Sequence, residues 1–253
     1  MRLATFNILH GRTPETDEVD VVALQDAVAS LDADVLALQE VDRNQSRSRH
    51  HDLTAIAAGA MGAREHRFVA ALHGSPATWQ AATGREQPDA AAYGIALLSR
   101  WPVSSWQVVR LPTVPVRAPV RFGRSPVPTW VRDEPRVAVA AVVQSPHGPL
   151  TVVNTHLSFI GWWNGRQLRS LVRALEDTPR PRLLMGDLNM GPDRAEELSG
   201  MRSLATHHTF PAEDPSEQLD HVLVDGELRA SGSAAPRLPL SDHRALTVTV
   251  APA

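Results

Sequence analysis

Arg182-Leu183-Leu184-Met185-Gly186-Asp187-Leu188-Asn189 is a short apolar run that closes on polar residues. Such a run reads as a buried strand, so Asp187 and Asn189 should stand at the edge of a sheet, where clefts form. The two alternate along what reads as an extended segment, which turns both to one side. The pattern recurs along the chain. Thr5-Phe6-Asn7, Gln39-Glu40-Val41-Asp42, Asn154-Thr155-His156-Leu157, Leu219-Asp220-His221 and Ser241-Asp242-His243 each end an apolar run in Asn, Glu, Asp or His. Six such strand ends point to one shared site. Carboxylates beside carboxamides and imidazoles suit a hydrolase that holds a hard cation and moves a proton at a phosphate ester.

At 253 residues the chain can bury a sizeable core, and with no linker in view it reads as one domain over 1–253. A formal charge of -3 does not supply the positive field that non-specific duplex binding demands. There is no cysteine, which removes disulfides, thiolate nucleophiles and cysteine-ligated zinc. Every basic residue is Arg, so Schiff-base chemistry and a phosphate-loop lysine are also excluded. The N-terminal residues enter a strand-like run without the apolar core of a secretory signal, and no stretch approaches the roughly 20 apolar residues of a membrane span. A cytoplasmic, monomeric enzyme is the expectation.

Periodicity places a strand over 2–8, a helix over Val21 to Leu31 and a second buried strand over Val35 to Gln39. A helix over about 52–61, strands over 68–72, 94–99 and 106–110, and a hairpin of 136–143 with 150–154 come next. The end of the chain reads as a helix over 165–177, a short helix near 193–198, and strands over 219–224 and 245–250. Between Leu111 and Pro135 six prolines alternate with Arg117, Arg121, Arg124 and Arg132, which reads as a long surface loop without ladders. Paired strands with few helices favour two packed sheets flanked by helices. A doubly wound nucleotide fold would need a Gly-rich loop after the first strand, and the sequence has none there.

The order and spacing of the six motifs resemble the endonuclease/exonuclease/phosphatase superfamily from Asn7 to His243. That resemblance implies an α/β four-layered sandwich of two mainly antiparallel β-sheets flanked by helices, with a divalent-metal phosphohydrolase site at one end. It implies Glu40 as the main ligand of Mg2+ or Mn2+, with Asn7, Asp242 and Asp187 beside the ion. Asp220 and His243 resemble the orienting carboxylate and the general base. Asn189 and His156 match residues that bind and steady phosphate oxygens, and Asp187 one that aligns the attacking water or assists the leaving group. Tyr93 is similar to a site-facing tyrosine, and Arg136 adds charge near the substrate or buttresses Glu40.

Ser241, Asp242 and His243 do not read as a serine triad, because neighbours on a strand point opposite ways. His50-His51 and His207-His208 read as loop residues, and His221 as pointing away from Asp220. Trp162-Trp163 reads equally as a wall beside the site or as helix-entry packing. The resulting reading is a phosphoesterase for a small-molecule or lipid-headgroup phosphate ester, with an endo- or exonuclease on DNA or RNA as the alternative. A catalytically dead binding module would have lost at least one of Glu40, Asp187, Asn189, Asp220 or His243, and none is lost.

Overall fold

In the computed structural model, which describes all residues except 15, 17, 115, 121–126 and 253, elements follow the apolar runs and end where polar or capping residues interrupt them. The first half holds β1 (Arg2–Asn7), α1 (Val21–Leu31), β2 (Val35–Arg43), α2 (Leu53–Met61), β3 (Glu65–His73), β4 (Gln80–Ala81), β5 (Ala92–Ser99) and β6 (Val103–Arg110). The second holds β7 (Ala118–Val120), β8 (Thr129–Val131), β9 (Val137–Ser145), β10 (Gly148–His156), α3 (Gly161–Ala174), β11 (Arg182–Asp187), α4 (Pro192–Ser199), β12 (Arg202–Ser203), β13 (Asp220–Asp225), β14 (Leu228–Ala234) and β15 (Leu246–Pro252). Helix α1 starts where the Asp20 carboxylate accepts the N–H groups of Val22 and Ala23, and it stops at Asp32, which is left-handed at φ 43°. Leu24, Ala27, Val28 and Leu31 form its buried stripe.

Among the described residues, β14-β15-β1-β2-β5-β3-β4 form a seven-stranded sheet and β12-β13-β11-β10-β9-β6 a six-stranded one. Each sheet contains one parallel pair, β1 with β2 and β10 with β11. Parallel neighbours need a crossover, and α1 and α3 supply one each. Between the sheets, Ala37, Ile95 and Leu97 meet Val139, Val152 and Met185. The outer face of the first sheet packs Leu36, Leu38 and Leu98 against Leu24, Val28 and Leu53 of α1 and α2. The outer face of the second packs Val153 and Leu184 against Leu168, Leu171 and Ala195 of α3 and α4. The result is a helix, sheet, sheet, helix sandwich, and β5, covered on both faces, buries all eight of its residues.

One polar tie crosses the apolar middle layer. Asn154 of β10 accepts from Gln39 Nε2 at 2.7 Å and donates to the carbonyls of Leu38 and Ala96 at 2.9 and 2.7 Å. The β2–β5 register shifts between Leu38 and Val41, so this amide bonds backbone beside a bulge. Gln39 also donates to Thr5 Oγ1 at 3.0 Å, which joins β1, β2, β5 and β10 at one level.

Several expectations are corrected. Strand β2 does not end at Gln39 but continues through the bulge to Arg43. The proline-rich segment does hold a ladder, β7 with β8, in which Pro119 pairs with Trp130. A two-stranded ribbon is all edge, so a proline can occupy a place where its missing N–H would face away from the partner. Pro115, Arg121, Arg124 and Pro126 lie outside the described residues. Strand β14 was not anticipated, because its exposed Ala, Ser and Gly residues carry no apolar alternation.

Candidate active site

The polar strand ends gather at one end of the sandwich. Across three strands of the second sheet, His156 pairs with Asp187 and Asp187 with Asp220. Asp187 can occupy that row because Gly186 precedes it. Gly186 sits at φ +138°, and a Cβ there would lie 1.9 Å from the Thr155 carbonyl oxygen, so only glycine lets β11 lie this close to β10.

Asn7, at the end of β1, joins the two sheets. Its Nδ2 donates to Glu40 Oε1 and to Asp187 Oδ2, both at 3.1 Å, while its Oδ1 accepts the Leu9 N–H at 3.1 Å. Glu40 reaches this position from the bulge with φ 56°, a left-handed geometry that turns its side chain out of strand alternation. Burial raises the Glu40 carboxyl, and the charge of Asp242 adds to this against Asn7, His243 and Arg136. Burial also raises Asp187, to about 7, with Asp220 acting in the same sense and His243 and Asn7 opposing.

His243 Nδ1 lies 2.8 Å from Asp220 Oδ2, and Asp220 is fully buried. The opposite ring nitrogen, Nε2, faces Asp187 Oδ2 at 3.7 Å. Burial acts to lower the imidazole, but Asp220, Asp187 and Asp242 outweigh it and hold it at about 10. The Phe210 ring packs against it, with centroids 4.9 Å apart. Residues 241–243 form a bend rather than a strand, so the alternation used to dismiss a serine triad does not apply. The dismissal rests instead on Ser241 Oγ, which donates to the Asn7 carbonyl at 2.6 Å and accepts the His243 N–H at 3.1 Å. Asp242 is exposed, and its charge acts on both Glu40 and His243.

Asn189 does not continue an extended strand. It is left-handed at φ 50°, and its N–H bonds Asp187 Oδ1 at 3.0 Å, a turn closed by the aspartate itself. The turn brings Asn189 Nδ2 to 3.3 Å from His156 Nε2 and 3.0 Å from the Leu157 carbonyl. His156 Nε2 is also 3.5 Å from Asp187 Oδ2. Burial lowers His156 well below the ordinary value, helped by Arg136 and His243, so the ring is neutral at neutral pH. Arg136 is buried beside Asp133 and Glu134, each at 3.8 Å, and its charge acts on Glu40 and His156 without a hydrogen bond to either among the described residues.

Tyr93 stacks on Trp79, with centroids 5.2 Å apart, and the Arg47 guanidinium lies over both rings. Arg47 is fixed by two hydrogen bonds to the buried Asp42, at 2.8 and 2.7 Å. Burial raises the Tyr93 phenol well above its ordinary value, with Glu40 adding to this. The sequence reading missed Arg47 and Trp79, which lie in the irregular segments between β2 and α2 and between β3 and β4. The one available signal was Asp42, a second acid so close to Glu40 that it required a base. Of the two readings given to Trp162-Trp163, the structure supports packing for Trp163. Trp163 is buried and donates to the Pro112 carbonyl at 2.9 Å, whereas Trp162 is 60 % exposed. His221 turns to the Met190 carbonyl at 2.8 Å, and His50, His207 and His208 bond loop or strand atoms away from the site.

The donors suit a hard divalent cation. Glu40, Asp187 and Asp242 could supply carboxylate oxygens, and burial, which raises the Glu40 and Asp187 carboxyls, makes their ionised forms costly unless a cation stands beside them. Asp187, Asp220 and His243 also form a buried group with ligand atoms within 4.8 Å of one another. Within it, His243 Nδ1 is already committed to Asp220.

Residues 4–243 match the family model described as Endonuclease/Exonuclease/phosphatase family. No curated protein matches the sequence. Similar solved structures include an endonuclease/exonuclease/phosphatase from Beutenbergia cavernae, 19% identical with a TM-score of 0.72 over 100% of this chain and 71% of that one. Sphingomyelinase C from Streptomyces griseocarneus is 17% identical, with a TM-score of 0.61 over 98% of each chain. A mannosyl-6-phosphatase from Bacteroides thetaiotaomicron is 13% identical, with a TM-score of 0.62 over 99% of each. At these identities the likeness is one of fold.

Proposed function

The chain belongs to the endonuclease/exonuclease/phosphatase family, hydrolases of phosphate esters that generally depend on a divalent metal, and from that premise we propose that it hydrolyses a small-molecule or lipid-headgroup phosphate ester by in-line attack of water. We take residues 1–253 as one catalytic unit. The observation that carries the reading is the buried Asp220–His243 pair, 2.8 Å apart, whose free Nε2 faces Asp187 at 3.7 Å.

In this reading Asp220 fixes the tautomer and orientation of His243, and His243 Nε2 takes the proton of the attacking water. Without an ion, the surrounding acids keep His243 charged at neutral pH, so freeing it as a base requires that their charge be compensated. Glu40, with Asn7 and Asp242 beside it, would hold Mg2+ or Mn2+, which when bound supplies that compensation and polarises the phosphate. Asp187 aligns the water. Asn189 and the neutral His156 donate to the phosphoryl oxygens as charge develops, and such a preorganised donor contributes about 3–4 kcal/mol to the rate. Tyr93 and Arg136 border the site and set its field.

Support for a small substrate comes from a cavity of about 400 Å³ that shares Asp242 with the site. Its walls are largely Pro14, Pro211, Leu238 and Pro239, and its acids are Glu213 and Asp242. Arg237, the base in its lining, is paired with Glu213 at 2.7 Å. With Glu213 and Arg237 paired, a small and largely apolar wall of this kind suits a compact leaving group better than an extended polyanion. Turnover should therefore be compared, with Mg2+ or Mn2+, on choline-bearing phosphodiesters, sugar phosphates and abasic duplex DNA. Cleavage of DNA in preference to both small classes would sink the substrate assignment and establish the nuclease.

A further inference from the structure

A second cavity, of about 620 Å³, lies at the side of the sandwich where β3 of one sheet comes near β6 of the other. It is lined by Arg43, Arg67 and Arg110 and by the loop of Thr83 and Gly84. Among the described residues, none of the three arginines forms an ion pair. Glu86, the acid in the lining, is occupied by its own loop. Burial would raise its carboxyl, but hydrogen bonds from the Thr83 N–H and hydroxyl and from the Gly84 N–H hold it at about 2.

Two of the guanidiniums are positioned by aromatic faces rather than by carboxylates. Arg43 lies 4.7 Å from the Phe68 ring centroid and Arg67 5.8 Å from that of Trp106. Stacking of this kind fixes the plane of a guanidinium and leaves its N–H edge free. The Arg43 Nε is buried without a hydrogen-bond partner. Arg110 makes only a long contact, 3.5 Å, from Nη1 to the Ala70 carbonyl.

We propose that this cavity is an anion site that takes a phosphorylated small molecule, its phosphate held among Arg43, Arg67 and Arg110. Planar guanidiniums with free edges match the geometry of phosphate oxygens. A bounded cavity with three arginines, on a chain of net charge -3, fits a compact ligand better than an extended nucleic-acid backbone. The site is separate from the catalytic residues, none of which lines the cavity.

The test is calorimetric titration of inorganic pyrophosphate into the whole protein at low salt with EDTA, which removes metal-mediated binding at the catalytic end. The native protein should bind one equivalent. Arg67→Gln and Arg110→Gln, both at exposed positions, should each weaken binding at least tenfold without a change in melting temperature, while Asn189→Ala should bind as the native does. No binding by the native protein, equal binding by the two arginine variants, or loss of binding in Asn189→Ala would overturn the assignment. So would binding of a single-stranded oligonucleotide in place of pyrophosphate with the same dependence on Arg67 and Arg110.

Discussion

Replacing Asn154 with Ala should be among the most damaging single changes outside the catalytic group. The side chain is fully buried and makes three hydrogen bonds, to Gln39 and to the Leu38 and Ala96 carbonyls. Gln39 keeps a second partner in Thr5, but the two carbonyls lose a donor in a layer with no access to water. At about 1 kcal/mol for each bond, and up to about 3 for a buried group left bare, the loss should be about 3–5 kcal/mol. That is a large part of the roughly 5–15 kcal/mol that stabilises most domains. With a urea slope of about 3 kcal/mol/M, the unfolding midpoint followed by tryptophan fluorescence should fall by roughly 1–1.7 M. Asn154→Asp should be at least as damaging at neutral pH, because it sets a carboxylate against two carbonyl oxygens. That carboxyl would have a folded-state value above its unfolded one, so the damage should lessen as pH falls toward about 4. A midpoint shift below about 0.3 M for Asn154→Ala would refute the reasoning, since it would mean that the bulge finds other partners at no cost.

Other outcomes follow from the same geometry. Gly186→Ala places a Cβ 1.9 Å from the Thr155 oxygen at φ +138°, so it should lower stability by about 3 kcal/mol or more and displace Asp187, seen as a lowered melting temperature with lost activity. Glu40→Gln should abolish the rise in melting temperature that Mg2+ or Mn2+ gives the native protein, measured against EDTA controls; an unchanged metal shift would remove Glu40 from the ligand set. His10 concerns acid stability. Burial, with Arg47 and Arg12, lowers it from 6.5 to about 3, so between those values the unfolded chain takes up a proton that the folded protein refuses. The stability involved is fully present above pH 6.5 and is lost as pH falls toward 3. His10→Gln should therefore lose less of its neutral-pH stability at pH 4.5 than the native protein, and equal losses would contradict this.

The layered architecture was legible because it is written in periodicity. The stripe of Leu24, Val28 and Leu31 and the unbroken run of Arg182 to Met185 each state which face is buried. What escaped was local backbone geometry that apolar spacing does not encode. Glu40 reaches the site from a bulge and Asn189 from a turn closed by Asp187, so both stand near the expected place for reasons other than strand alternation. Asn154 was visible as part of a motif, but its role between the sheets depends on a carbonyl of β5 that is 58 residues distant. Arg47 and Trp79 lie on connecting segments, where a side chain's neighbours are set by the scaffold and not by its own segment.

The most direct test of the proposed chemistry is hydrolysis of a chromogenic phosphodiester and its monoester by the native protein, His243→Ala and Asp220→Asn, with Mg2+, Mn2+ or EDTA. The expected result is metal-dependent turnover that falls by about 10²–10⁴ in both variants while their melting temperatures show the fold intact. Turnover that persists in EDTA, or that survives the loss of His243, would contradict the assignment of the Asp220–His243 pair as the base of a metal-dependent phosphoesterase.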